Sequence, residues 1–511
     1  MTVAPVRKLV PMAAWLIAAM LLFWPLAALL TRTVMEATAP AGGFTYSTRQ
    51  LGLLWRSVWL SLAAAVACVL LAVPAVYALG HLPNAARPRA LRLTLAALAA
   101  ALLCPPMVCV FAWQRLLPSG TNAYAECAAV WAMWAWPVPA LILSAAWRTS
   151  GRSSYEAARL EATPTRAFLH VALPILRGPI ALCLLILFVI FVAEYTVPHA
   201  CGLLVYATEL LGWSAGSPAT LDTVWPALPL VAVAVAGVIG AAVQWRSGTR
   251  TTEHRIGPEA SPSTGWPLVL IASIVTVTWL LPIGALAASI SSLAAAGDAI
   301  RIYGRDMLAS FGVAALSALV VIALGLIVLT RPRLRTPALI AALALGAFPG
   351  ALVGEAVMAA YNYELFKALY DHWPIMVLGY AARFAWIGCV IALSLEHRLG
   401  RLSDQARTDG AGPLRELVHV NLPMWSPTLL FAAAAVTALA LGDVATTTLI
   451  RVPDFNPVAH VIIEKFHRRE DDTLVSLSVA LVVAAFPAVL LAAAAVLPGT
   501  DHQHRGQRVN G

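Results

Sequence analysis

Apolar runs long enough to cross a bilayer recur along almost the whole chain, and no other feature restricts its fold so severely. Each run holds roughly 18–25 residues, which at ~1.5 Å per residue covers about 30 Å of hydrocarbon. They fall near 10–30, 53–79, 91–114, 127–147, 178–197 and 223–245, then near 266–290, 308–330, 337–360, 374–396, 425–442 and 473–497. The composition agrees: 60% hydrophobic residues, 12% charged and a mean hydropathy of +0.80 are outside the range of soluble globular chains. The expected fold class is an all-α membrane protein with about 12 transmembrane helices.

The segment 403–423, SDQARTDGAGPLRELVHVNLP, is polar between two very apolar runs, so its composition reports on a partner on the water side. It reads as two short helices. Residues 404–409 form the first, Gly410 and Gly412 turn the chain, Pro413 opens the second and Pro423 ends it. The same segment occurs twice. Residues 155–174, YEAARLEATPTRAFLHVALP, align with 404–423 at a constant offset of 249. Pro164 then meets Pro413, Arg166 meets Arg415, His170 meets His419, and Leu173-Pro174 meets Leu422-Pro423. In the first copy Glu161 stands where the second has Gly410. Six runs on either side of a polar, Gly/Pro/Ser-rich stretch give both halves the same orientation, a parallel repeat. The expected units are 1–245, a linker at 246–265, 266–497, and a polar tail at 498–511.

Charge sets the sidedness. Twenty-two of the 34 Lys and Arg residues fall on one side, Arg87, Arg89, Arg148, Arg159, Arg166, Arg331, Arg333, Arg398, Arg407 and Arg415 among them. That side is expected to be cytoplasmic, with both repeated loops and both termini. The net charge of +9 follows from this rule and calls for no nucleic acid. On the other side Lys465, Arg468 and Arg469 are balanced by Glu464, Glu470, Asp471 and Asp472. The first run is too long for a signal peptide, and Pro40 follows the small residues Ala37-Thr38-Ala39, so an uncleaved helix is expected.

Catalytic signatures are missing. The chain has no Gly-rich phosphate loop and no HExxH pair. Its seven cysteines form no CxxC and read as small hydrophobes in packed helices. Trp24, Trp55, Trp147, Trp245 and Trp266 lie near run ends, where interfacial anchoring is the default.

The two polar loops resemble the EAA loop of ABC-importer permeases (Glu-Ala-Ala, three residues, Gly, nine residues, Ile, one residue, Leu-Pro). Asp404, Gln405, Ala406, Gly410, Val420, Leu422 and Pro423 stand at those positions. CPPMVCVFAW at 104–113 and FPGALVGEAV at 348–357 are similar to helix starts in the same superfamily. The segment from Asp443 to the last run is similar to the final outer loop of fused ferric-iron permeases. The resemblance covers nearly the whole chain, and thiamine and phosphonate importers share the plan.

That resemblance implies a type I ABC importer permease fold in a bacterial inner membrane. A periplasmic solute-binding protein would deliver substrate, and ATP-binding cassette subunits, two copies, would hold the ATP; this chain would bind no cofactor and catalyse nothing. The implied ATPase-docking residues are Glu156, Ala157, Arg159, Glu161 and Arg166 in the first loop. In the second they are Asp404, Gln405, Ala406, Arg407, Asp409, Gly410 and Arg415, with Glu416 beside them. Charges of this kind also suit a merely solvated helix surface. Glu194 and Asp443, again 249 apart, and Glu355 are pathway candidates. A charge inside a span costs at least ~2.5 kcal/mol and faces a cavity or a partner, so Glu355 with Arg383 reads as a structural ion pair or as part of the path. Glu194 and Asp443 read as solvated helix ends or as route lining, and carboxylates suit a hard cation such as ferric iron. A secondary carrier with parallel six-helix repeats is the runner-up; an intramembrane enzyme lacks a catalytic pair.

Overall fold

The computed structural model describes residues 12–38, 46–81, 97–98, 101–102, 104–118, 120–147, 152–216, 219–248, 265–454 and 456–495. Residues 91–96 of the third run, most of the linker and the tail at 498–511 lie outside the described residues. Among the described residues all regular structure is helical. Six helices are each long and apolar enough to cross a membrane, or nine spans if each of three bent pairs counts as one. The protein is a helical membrane protein.

Helix α1 (Met12–Leu22) and α2 (Trp24–Ala37) form the first bent pair, turned by 42° where Pro25 opens α2 without an N–H to donate. Helix α3 (Thr48–His81) follows as a single long rod. Helix α4 (Pro106–Gln114) is short and buried over its first seven residues. Asn122 caps α5 (Ala123–Ala135) by accepting the N–H groups of Tyr124 and Ala125. Pro137 opens α6 (Pro137–Ala146), bent 49° from α5. Helices α7 (Leu173–Val192), α8 (Tyr206–Gly216) and α9 (Thr220–Gly248) come next.

Beyond the linker, α10 (Trp266–Val275) and α11 (Leu281–Ala288) join through a π turn, Thr276–Leu280, into one span. Then come α12 (Leu293–Thr330), α13 (Pro332–Ala347), α14 (Gly350–Tyr361) and α15 (Pro374–Thr408). Helices α16 (Leu422–Gly442), α17 (Val458–Arg468) and α18 (Asp471–Ala495) complete the order.

The run at 337–360, expected as one helix, is broken. Phe348 and Pro349 are extended (ψ 142° and 146°) between α13 and α14. Proline pushes the residue before it out of the α region, and its own ring cannot continue the ladder. The run at 91–114 breaks in the same way, with Pro105 at ψ 135° ahead of α4.

Of the six membrane-length helices α15 is the most enclosed: 72% of its most apolar stretch is buried, against 22% for the spans Thr220–Trp245 and Trp266–Ala288. That contrast places α15 centrally and leaves those two spans facing outward. Where α15 crosses α12, a Cβ on Gly325 would overlap the backbone of Gly388, and one on Gly388 would overlap the Val321 carbonyl. Small residues allow this approach, the usual way helices pack in lipid.

Each leading pair packs across the molecule. Trp15 Nε1 donates to Thr330 Oγ1 (2.8 Å), Trp24 Nε1 to the Ala360 carbonyl (2.7 Å) and Tyr361 Oη to the Met20 carbonyl (3.2 Å), tying α1 and α2 to α12 and α14. Conversely, Trp136 Nε1 donates to Thr278 Oγ1 (3.1 Å), between α6 and the π turn before α11. Trp147 departs from the anchoring expected of it: it is 4% exposed, with its ring 5.4 Å from that of Tyr155.

Candidate functional site

The second polar loop does not begin with a separate helix. Residues 404–408 are the last turn of α15, which runs unbroken for 35 residues. It ends where Gly410 takes φ +79°, with the Gly410 N–H on the Arg407 carbonyl (3.0 Å) and the Ala411 N–H on that of Ala406 (2.9 Å). This is the Schellman arrangement, which needs a left-handed residue at the glycine position. In the first loop the helix Arg152–Ala158 turns without one. There the N–H groups of Leu160, Glu161 and Ala162 fold back onto the carbonyls of Ala157 and Ala158 (2.9–3.2 Å).

Pro423 does not end the second leg either. Pro413–Glu416 starts a helix, Leu417–Asn421 widens it into a π turn, and α16 continues through Pro423. The Leu422 N–H donates five residues back to Leu417. The wider turn takes up the carbonyl that the proline ring would otherwise strike and the N–H it lacks. The first loop repeats every part: Pro164–Ala167, the π turn Phe168–Ala172, and the Leu173 N–H on Phe168 ahead of Pro174.

Arg407 is turned inward. Its Nε and Nη2 reach Glu416 Oε2 and Oε1 at 3.0 and 3.2 Å, and its Nη1 lies 3.7 Å from Asp404. Glu416 is 1% exposed, so the fork clamps one leg of the loop to the other. The first loop has Ala158 and Ala167 at those two positions and therefore no such clamp. Gln405, Asp409, Gly410 and Arg415 are exposed and Asp404 and Ala406 half-exposed. In the first loop Glu156, Ala157, Arg159, Glu161 and Arg166 are exposed, beside Leu160, a leucine 87% open to solvent.

The pathway candidates are not solvated helix ends. Glu194 follows α7 and caps the next helix, Thr196–Ala200: Oε1 accepts from the Thr196 N–H (2.6 Å), Oε2 from the Val197 N–H (3.0 Å) and from Trp131 Nε1 (3.2 Å). Asp443 follows α16 and caps Val444–Leu449, with Oδ1 accepting from the Thr446 N–H at 3.1 Å. The two caps reach backbone groups three residues on, at equivalent places.

Arg383 is not the partner of Glu355. Its Nε lies 3.8 Å from Asp443 Oδ2, and Nη1 donates to the Phe348 carbonyl, the group freed by the break before Pro349. Glu355 is 5% exposed on α14 and lies in the field of Arg32 and Glu36 on α2. Reading the sequence missed Arg383 as the counterion of Asp443 and Trp131 as the donor to Glu194. The Phe348-Pro349-Gly350 triplet was the available signal for the first, since a freed carbonyl in a buried place requires a donor.

A histidine pair joins the short helix Thr196–Ala200 to α17: His199 Nε2 and His467 Nε2 are 2.7 Å apart, with the Tyr195 ring stacked on His199 (centroids 4.9 Å). Burial, and then the neighbouring His467, lower the His199 pKa to about 4. Among the described residues no group of three or more His, Cys, Asp or Glu side chains is arranged to hold a metal ion. The chain matches no protein-family model, no curated protein and no solved structure.

Proposed function

We propose that this chain is the permease subunit of an ATP-driven importer, built as two parallel six-helix repeats with twelve spans. A solute delivered by a periplasmic binding protein, ferric iron on this reading, passes through it, and separate cytoplasmic ATP-binding cassette subunits supply the energy. The observation that carries this reading is the pair of polar loops. Each has a helix end, a turn, a second short helix, a π turn and Leu-Pro at an offset of 249 residues, and each offers an exposed mixed-charge and apolar surface. Helix α15 supports the coupling: one rigid rod joins the second loop to Arg383 and the buried charges.

Reconstituted with its ATPase and binding protein, the chain should take up ferric iron only when ATP is present on the loop side. Thiamine and phosphonate, offered on their own binding proteins, test the other solutes. A secondary carrier is the second reading, favoured by the buried Glu355 beside Arg32 and Glu36, which resembles an ion-coupling group. Uptake driven by an ion gradient without nucleotide would decide for the carrier.

A further inference from the structure

Two imidazoles from opposite halves of the sequence converge on one point. His199 lies on Thr196–Ala200, the short helix that Glu194 caps at the end of α7 remote from the first polar loop. His467 lies in the last turn of α17, which follows the end of α16 remote from the second loop. Their Nε2 atoms are 2.7 Å apart and the ring planes cross at 79°, so nitrogen faces nitrogen. Packing aims both rings. Tyr195 stacks on His199 with the planes 19° apart, and Phe466, beside His467, packs on Phe111 of α4 with centroids 5.2 Å apart. His199 is half-buried and His467 is exposed, so an ion can reach their meeting point from water.

A neutral imidazole nitrogen with a free lone pair is a ligand for borderline divalent metals such as zinc. In the pair as it stands, one ring donates its Nε2–H and the other accepts it. If the donor carries its proton on Nδ1 instead, both Nε2 atoms present lone pairs, and no proton is gained or lost overall. Two lone pairs at that distance repel unless a cation lies between them. Zinc–nitrogen bonds of about 2.0–2.1 Å at a tetrahedral angle set the nitrogens about 3.3 Å apart, so the rings need part by only about 0.6 Å. Burial and the neighbouring His467 keep His199 unprotonated at neutral pH, which leaves its lone pair free. Among the described residues no third His, Cys, Asp or Glu joins them, so water takes the remaining positions.

We propose that His199 and His467 form a site for a borderline divalent metal ion such as zinc, which fastens the two halves together at the end remote from the polar loops. The ion finds both ligands only in the folded chain, so binding stabilises that arrangement. A nitrogen pair suits a hard trivalent ion poorly, so the site is separate from the route proposed for ferric iron. The inference does not rest on the importer reading.

Zinc(II) alone is the probe, titrated against a chromophoric chelator into the full chain in lipid nanodiscs, purified without a histidine tag. His502→Gln and His504→Gln form the background throughout, so that the histidines of the tail do not compete. That background should bind one zinc ion per chain. His199→Gln and His467→Gln should each weaken binding by at least about tenfold. His460→Gln, on the same helix but with its Nε2 held by Arg451, should leave it unchanged. His467→Cys supplies a thiolate at the same place, guards against misfolding and should keep the binding. Zinc should also slow amide exchange in both 196–200 and 458–468, whereas an ion on one ring would slow only one segment. Absence of stoichiometric zinc overturns the proposal. So does binding that survives both Gln variants, a loss that His467→Cys does not restore, or slowed exchange in one segment alone. Neither nucleotide nor partner takes part, so that failure leaves the importer reading standing.

Discussion

At the scale of single residues, Arg407 stands apart from the other candidate docking side chains because its guanidinium is held by a buried carboxylate. Arg407 looks from sequence like its exposed neighbours, yet it forks onto buried Glu416 nine positions later. That pairing depends on the sharp turn at Gly410, so helical spacing gave no hint of it. Arg407→Ala leaves Glu416 buried without its fork and should destabilise the loop by on the order of 3 kcal/mol. Adding Glu416→Ala should recover most of the loss, since the first loop holds Ala158 and Ala167 there. Amide exchange across 404–423 in the two variants checks this, and equal protection in both would show that the pair is not a clamp.

Gly410 was legible, because a glycine between two helical stretches is the usual left-handed terminator, and it stands at φ +79°. Gly410→Val should leave membrane insertion intact while uncoupling ATP hydrolysis from uptake. Changing Glu161, whose turn has no left-handed residue, should do so less.

His199 titrates on the short helix Thr196–Ala200. Its folded pKa of about 4 lies below the unfolded 6.5, so the stability linked to its neutral form is complete above about pH 6.5. That contribution is lost as the pH falls from 6.5 toward 4. His199→Gln should therefore flatten the melting temperature over that window relative to the wild type, and parallel profiles would refute the assignment.

At the scale of elements, apolar composition located the spans but concealed their breaks. Phe348 and Pro349 are as apolar as their surroundings, so the run at 337–360 reads as continuous although the backbone opens there. Pro174 and Pro423 mislead in the opposite direction. They read as stops, and a π turn before each carries the helix through. Helix contact is testable at the α12–α15 crossing. Gly388→Ala places a methyl on the Val321 carbonyl and should lower the yield of folded protein severalfold. Gly312→Ala, on the same α12 with open space at its Cβ, should be neutral or stabilising by ~0.5–1 kcal/mol. Equal tolerance of both would contradict the close crossing.

At the scale of the whole molecule, the leading helices lean on the elements of the opposite half through Trp15, Trp24 and Trp136. These hydrogen bonds join residues far apart in the chain, and neither apolar periodicity nor the repeat discloses them. The interlock predicts that a chain cut within 249–264 assembles when both pieces are coexpressed, whereas either piece alone is degraded. The mutual dependence of the two sides was not visible in the sequence.

The central claim is that the two polar loops hold a separate ATPase. It is tested most directly by purifying the tagged chain from its native membranes in a mild detergent and identifying what accompanies it. The account predicts an ATP-binding cassette subunit at about two copies per chain, nucleotide hydrolysis only in its presence, and loss of that subunit when Gln405, Asp409 and Arg415 are replaced together with their first-loop counterparts Glu156, Leu160 and Arg166. A chain that purifies without any nucleotide-hydrolysing partner and transports with an ion gradient alone would contradict it.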